Sequence, residues 1–521
     1  MLSHNESFIW PETLSLYRNI SKEFRLAFIS AFILGIIIHL YVITNLLLTG
    51  DSVTQLYEAG AGLRSGRWAL HWVAGWTPVQ TPTLNGVLSI FALSVTSALT
   101  VYVLKLSHPV SIVLTSAFIV SFPSIAGIFA YMFTADAYFI ALLLNALAAY
   151  MAKRYRFGWI VATVLIAIAC GIYQAFLCYA VGLLLFDCIL SLFEEFDIKQ
   201  VLFCGIKYIF TLIGGLLLYY VILHVLLKAT GTKLTTYQGM DTMGSFSLTS
   251  YIAAIPKAYS GYKYFFLRWP FDVPGVKFAH FAVPFISFLC IAFIGFHKKL
   301  WKKPLRVICL MLGIALCPLA LNLMAVLVYK GGVHRLMIYA FVLPFVFFIK
   351  LVERSVQLMI ETNMTPVLWK GSSIVGILLC CLLIWNNTVI CNTFYHELQY
   401  CYETTYSLAT RIVTHVEDLD GFTADTPVMY IGTGELAKRK TPLFGAKSRH
   451  DKYVGFFDAS YNLLFSSAFV ENILNTYYPT PSVEAKAKIS ASEEARAMPV
   501  YPAKGSIDYI DGVVVVKLTE G

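Results

Sequence analysis

The chain has 521 residues, of which 58% are hydrophobic and only 13% charged. Soluble domains carry about 25% charged residues, so this composition cannot solvate a globule of that size. With a mean hydropathy of +0.70 and 15% aromatics, it excludes a soluble enzyme, a disordered tail and a secreted disulfide scaffold, and leaves a polytopic membrane protein with room for a soluble appendix. The net charge of +9, from 39 Lys+Arg against 30 Asp+Glu, calls for no nucleic acid. In a membrane protein basic residues first set orientation and meet anionic headgroups, so membrane lipids are the expected partner.

A helical span needs about 20 apolar residues. By that rule spans are predicted near 26–48, 84–105, 109–122, 131–151, 158–171, 174–193, 205–227, 278–296, 308–328, 336–352 and 371–390. That is about eleven crossings in an all-α polytopic domain over 1–390. The first run lacks a short apolar region with a cleavage site and reads as a signal anchor. Arg18, Lys22 and Arg25 precede the first span, Lys153, Arg154 and Arg156 follow the fourth, and Lys298, Lys299, Lys302, Lys303 and Arg306 follow the eighth. All three clusters fall on one side and mark it as cytoplasmic, N-terminus included. The loops at 49–83, 122–130, near 172, 228–277 and 329–335 then lie on the other side. The 228–277 loop carries Lys228, Lys233, Lys257, Lys263 and Arg268. Long loops cross regardless of charge, and this one suits contact with phosphate or anionic lipid.

From about 391 to 521 charges return and turn residues appear. Pro427–Gly432 reads as a strand and turn, and Asp511-Gly512 joins Ile507–Ile510 to Val513–Leu518 as a hairpin. Phe456, Phe457 and the apolar 460–474 segment suggest a packed helix. A small extracytoplasmic α/β domain is expected over 391–521. Most of the 11 cysteines sit in apolar runs as small buried hydrophobes. Cys391 and Cys401 lie in a stretch that looks helical, roughly 15 Å apart along it and too far for a bridge.

Ionisable residues near the membrane usually have a task. Asp51 follows the first span directly, and Asp136 sits near the outer end of the fourth. Glu58, Arg64 and Arg67 follow in the same outer loop, which closes in Ser65-Gly66-Arg67-Trp68, with His71, Trp72 and Trp76 behind. The two last tryptophans suit the interfacial aromatic belt, whereas a guanidinium offers a fork of donors suited to phosphate. Gly171-Ile172-Tyr173-Gln174 offers a hydroxyl and an amide at the membrane surface, and Lys330 through Arg335 brings His334 and Arg335 to the start of a span. Each acid has a plain reading as an interfacial cap or interhelical contact, and His334 and Arg335 one as headgroup contacts. Carboxylates and cations gathered on one outer face suit transfer of a group carried on a lipid phosphate. A carboxylate takes the proton of the acceptor hydroxyl, and Arg64, Arg67, Lys330, His334 and Arg335, with Tyr173 and Gln174, hold the substrate and its phosphate.

The acid after the first span, the Ser65–Trp68 loop closure, the Gly171–Gln174 step, the His334-Arg335-Leu336-Met337 segment and the Asn386–Tyr406 stretch before a small terminal domain resemble the Gtr-type serotype-converting glucosyltransferases. The resemblance implies a GT-C-type enzyme of the bacterial inner membrane that takes glucose from undecaprenyl-phosphate-glucose, a polyprenyl-phosphate-sugar donor. It delivers the sugar to a polysaccharide acceptor, O-antigen, at the periplasmic face. It implies Asp51 as the base, with Glu58 the second position to fit, Asp136 placing a sugar, and Arg67, His334 and Arg335 clamping phosphate. Asp51 is followed by Ser52 and Val53, with no Asp-x-Asp, so no metal or cofactor is expected. Two other readings stand beside it: a polymerase or ligase of surface polysaccharide, and a non-enzymatic flippase or transporter of lipid-linked sugar.

Overall fold

The computed structural model describes residues 20–54, 62–74, 81–194, 196–236, 248–268, 273–329, 332–432 and 467–519. Glu58, Trp76, Lys330 and the segment 433–466 lie outside these residues. In lipid a spanning segment must satisfy its backbone groups internally, so each apolar run forms a helix. In chain order these are α1 Lys22–Thr44, α2 Gly50–Thr54, α3 Leu70–Ala74, α4 Pro82–Val103, α5 Pro109–Ser121, α6 Ser124–Phe129 and α7 Met132–Arg154. There follow α8 Gly158–Tyr173, α9 Leu177–Leu192, α10 Ile198–Thr230, α11 Leu248–Arg268, α12 Val276–His297, α13 Pro304–Leu321, α14 Met324–Leu327, α15 Leu343–Glu361 and α16 Pro366–Glu417. Short 3₁₀ turns at Leu63–Ser65, Gln174–Phe176 and Arg335–Val342 complete this part.

Among the described residues nine helical stretches are long and apolar enough to cross a membrane, with α5 a shorter apolar helix. One of the nine, Gly158–Leu192, is 35 residues long and reverses direction. Its break falls at Tyr173, whose backbone is extended (φ −155°, ψ 110°). Asp187, late in α9, pairs with Lys153 at the end of α7, and Lys207 of α10 donates to Ala152 O at 2.6 Å. The start of α8 and the end of α9 therefore lie at the same end of the bundle. Splitting that stretch and adding α5 recovers the eleven predicted runs. α7 is the most enclosed of the long helices, and α10, α12 and α13 are the least.

One end of the bundle collects the basic clusters and their partners. Arg306 donates to the carbonyls of Leu192, Glu194 and Phe196, satisfying groups a helix end leaves open. Glu353 accepts from Ser107 and His108 backbone N–H and pairs with Lys350 at 3.0 Å. The other end carries α2, α3 and the turns at Gln174–Phe176 and Arg335–Val342. The 228–277 segment, read from sequence as a loop, contains α11. Its aromatic residues Tyr262, Phe265 and Phe266 pack against Phe341 and Phe345.

α16 is 52 residues long, about 78 Å at 1.5 Å per residue against a hydrocarbon layer of about 30 Å. It runs unbroken through residue 390, where a domain boundary was expected. Its far part carries Leu408, Ala409, Ile412, Val413 and Val416 on one face, the spacing of a helix that buries one stripe. That stripe packs on a three-stranded sheet of order β1–β3–β2: β1 Val428–Ile431 is parallel to β3 Val513–Lys517, and β2 Ile507–Ile510 is antiparallel to it. Strand side chains alternate between faces. Val514 and Val516 point to α16, and Val513 and Val515 to a second small core with Ile489 and Met498. The helix α17 Ser467–Asn472 falls in the segment predicted as a packed helix, followed by α18 Val483–Ala491 and α19 Glu493–Ala497.

Candidate active site at the end opposite the basic clusters

Asp51 stands in the first turn of α2. Thr49 starts this helix, its Oγ accepting the Ser52 N–H at 3.2 Å and sharing a hydrogen bond with Ser52 Oγ at 2.9 Å. Asp51 is half-buried. Burial pushes its carboxyl pKa above the ordinary value, and the guanidinium of Arg67, near enough for its charge to act, opposes that shift.

Arg67 follows Gly66, whose backbone is left-handed (φ 71°), a conformation open to glycine at little cost. Its Nη1 donates to Tyr138 Oη at 2.8 Å, and its guanidinium lies 5.0 Å from the Tyr173 ring centre and 5.8 Å from that of Tyr138. Those two rings stack at 4.2 Å, so the cation rests on paired π-faces from α7 and α8. Arg67 Nε is buried without a hydrogen-bond partner among the described residues, as is Trp68 Nε1. Such donors are costly unless a ligand accepts from them.

The loop that carries Arg67 is clamped from below. Gln174 Nε2 donates to Ser65 O at 3.3 Å and to Tyr219 Oη at 3.0 Å, and Tyr219 Oη donates to Gly66 O at 3.0 Å. Ala69 N–H donates to Gly171 O at 2.8 Å. A Cβ at Gly171 would come within 2.5 Å of the Trp68 indole, so only glycine lets the loop and α8 approach this closely. Tyr173 and Gln174, expected at the membrane surface, are buried instead, at 2% and 6% exposure. Arg64 is exposed, and its carbonyl accepts from Thr235 N–H at 2.9 Å.

Asp136 is buried in α7, with Oδ1 accepting the Ala137 N–H at 2.8 Å. His334 and Arg335 are half-buried at the start of the Arg335–Val342 turn. Burial lowers the His334 pKa and favours the neutral ring. Arg335 O accepts from Ser124 Oγ at 2.8 Å, which ties the turn to α6. This group meets the Arg67 group through the Gln174–Phe176 turn, with Phe176 packed between Tyr173 and Tyr339. Arg67, Tyr173 and Gln174 are thus in one cluster, with Asp51 within reach of the Arg67 charge, and the turn that begins at Arg335 joins the cluster through Tyr339 and Phe176. The sequence reading passed over Tyr138 and Tyr219. The signal for Tyr138 was its place two residues after Asp136, near the start of the same helix. Among the described residues no three His, Cys, Asp or Glu side chains gather as a metal site.

Fold and site together define a polytopic helical membrane protein with a carboxylate at one end, within reach of the charge of a buried guanidinium, under a small α/β domain. Residues 40–345 match the family described as glucosyl transferase GtrII, more than half of the chain, and the protein belongs to that family. It is therefore a membrane glucosyltransferase, working between a sugar donor and an acceptor. The matched segment contains Asp51, Arg67, Asp136, Gly171–Gln174 and Arg335 and ends at the start of α15. No curated protein and no solved structure matches the chain.

Proposed function

We propose that the protein moves glucose from undecaprenyl-phosphate-glucose to a cell-surface polysaccharide such as O-antigen, in a GT-C-type reaction at the periplasmic face of a bacterial inner membrane. The basic end faces the cytoplasm under the positive-inside rule, so the N-terminus is cytoplasmic and the terminal domain periplasmic. Asp51 takes the proton of the acceptor hydroxyl as its oxygen attacks the anomeric carbon. The bond from that carbon to the phosphate oxygen breaks with inversion, and polyprenyl phosphate leaves with the electron pair. Arg67 meets the charge on the departing phosphate, with Arg335 and His334 alongside. Arg64 and Lys330 add positive charge for the donor phosphate, Asp136 places a sugar, and the terminal domain docks the acceptor. No metal or cofactor enters this scheme.

The observation that carries this reading is the aromatic-held Arg67, with its buried Nε unpaired among the described residues, at the same end of the bundle as the half-buried Asp51. A half-buried carboxylate with a raised pKa is a stronger base than an exposed one, and the cation beside it keeps a buried donor free for an anion. The test is transfer of radiolabelled glucose from polyprenyl-phosphate-glucose by purified protein, wild type beside Asp51→Asn. Transfer by the wild type alone supports the scheme. Transfer by both moves the base to Asp136 or Glu58. No transfer by either, with acceptor supplied, puts the polymerase or flippase reading first.

A further inference from the structure

The two halves of the site are held by different parts of the molecule. Arg67 is fixed by the transmembrane bundle, through Tyr138 of α7 and Tyr173 of α8. Asp51 is not. Its helix α2 has five residues, and a helix that short does not persist without tertiary packing. Leu47 belongs to the transmembrane core, but the next residue, Leu48, belongs to the core of the C-terminal domain, and so does Val53. Leu48 and Val53 are 7% and 3% exposed, in one cluster with Leu408 and Ile412 of α16, Phe469 of α17 and Val514 of β3. Asn472, the last residue of α17, donates from Nδ2 to Val53 O at 2.9 Å. The backbone on both sides of Asp51 is therefore fastened to the terminal domain.

We infer that the C-terminal domain is a positioning element of the active site: Leu48, Val53 and Asn472 seat the Asp51 helix on the domain, which sets the carboxylate against the bundle-held Arg67. The inference rests on the reading of Asp51 as the base. Leu48, Val53 and Asn472 are positioning residues, since their contacts are with the domain and with α2 backbone. A shift of the domain on α16 moves the base away from the phosphate clamp, leaving donor contacts in the bundle in place.

The experiment uses the purified full-length protein with Asn472→Ala and Val53→Ala, measuring amide hydrogen exchange over residues 49–54 alongside glucosyl transfer. Misplacing a reacting group by about 1 Å can cost roughly 100-fold. In both variants exchange at 49–54 is expected to quicken and kcat to fall by about 10- to 100-fold, with the donor KM little changed. Asn472→Gln, which keeps an amide donor, is expected to recover part of kcat. Lys488→Ala, which breaks an exposed ion pair with Asp511 on the same domain, is expected to change neither reading. Should Val53→Ala unfold the domain, Asn472→Ala removes a single hydrogen bond and carries the test. Wild-type kcat in Asn472→Ala overturns the inference, as does a loss confined to donor KM. Full transfer by Asp51→Asn would instead overturn the base assignment, while exchange at 49–54 still reports whether the domain holds the helix.

Discussion

At the level of single residues, the site depends on opposing effects on Asp51. Burial raises its pKa and the Arg67 charge lowers it, with burial the larger. With Asp51 as the proposed base, the active form is the carboxylate, so activity is expected to be lost as pH falls through the raised value. The acid limb of kcat/KM against pH is expected above the ordinary Asp value of about 3.9. Arg67→Gln removes the effect that favours the carboxylate, so the limb moves to still higher pH while donor use also weakens. A limb that stays fixed in Arg67→Gln would mean that another group titrates. The guanidinium itself is held by aromatic faces and one hydroxyl, an arrangement that a lysine could not reproduce with its single compact charge.

Among the elements, the Leu63–Leu70 loop shows how a short connecting segment becomes rigid. It gives its carbonyls at Ser65 and Gly66 to Gln174 and Tyr219, and its indole to Gly171. Gly171→Ala would force the Trp68 ring aside, at a cost of about 1–3 kcal/mol in an already packed site. Transfer activity is expected to drop sharply, because Arg67 is the neighbour of that ring. Gly214→Ala in α10 is the matched control, since its added carbon would meet Thr163 at an ordinary 3.4 Å. Equal loss in both would refute the argument. Only part of this clamp was legible in the sequence. The apolar runs are long and their periodicity redundant, so all eleven appear as helices, and Asp511-Gly512 specified its hairpin by turn chemistry alone. The partners of Gln174 lie 109 and 45 residues away, and no local pattern encodes such a meeting. For the same reason Tyr173 and Gln174 read as surface groups. α11 escaped because Lys257 and Lys263 lie on its exposed face, which lowers its hydropathy without breaking the helical spacing of the buried Ala254, Ala258 and Phe265. The seating of Leu48 and Val53 in the terminal domain was equally invisible, since both look like the frayed end of a span.

Across the whole molecule, the two ends have separate tasks. The end opposite the site is closed by a network that ties four helices: Lys153 of α7 donates to Asp187 of α9 and to Val103 O of α4, and Tyr208 of α10 donates to Asp187 at 3.0 Å. The Lys153 and Asp187 side chains are only 14% and 10% exposed. Removing one partner of a buried pair leaves an uncompensated charge, which costs about 3–5 kcal/mol. Asp187→Ala is therefore expected to lower the thermal midpoint in detergent substantially. Replacing both partners with apolar residues, as in Lys153→Met with Asp187→Leu, should recover most of that loss, because it removes the stranded ammonium. Transfer measured well below the midpoint should stay near wild type in both, as the network lies about 25 Å of helix from Asp136 along α7. A fall in transfer that matches the fall in stability in neither variant, but follows the charge at Lys153, would instead show that the basic end acts on the site across the bundle.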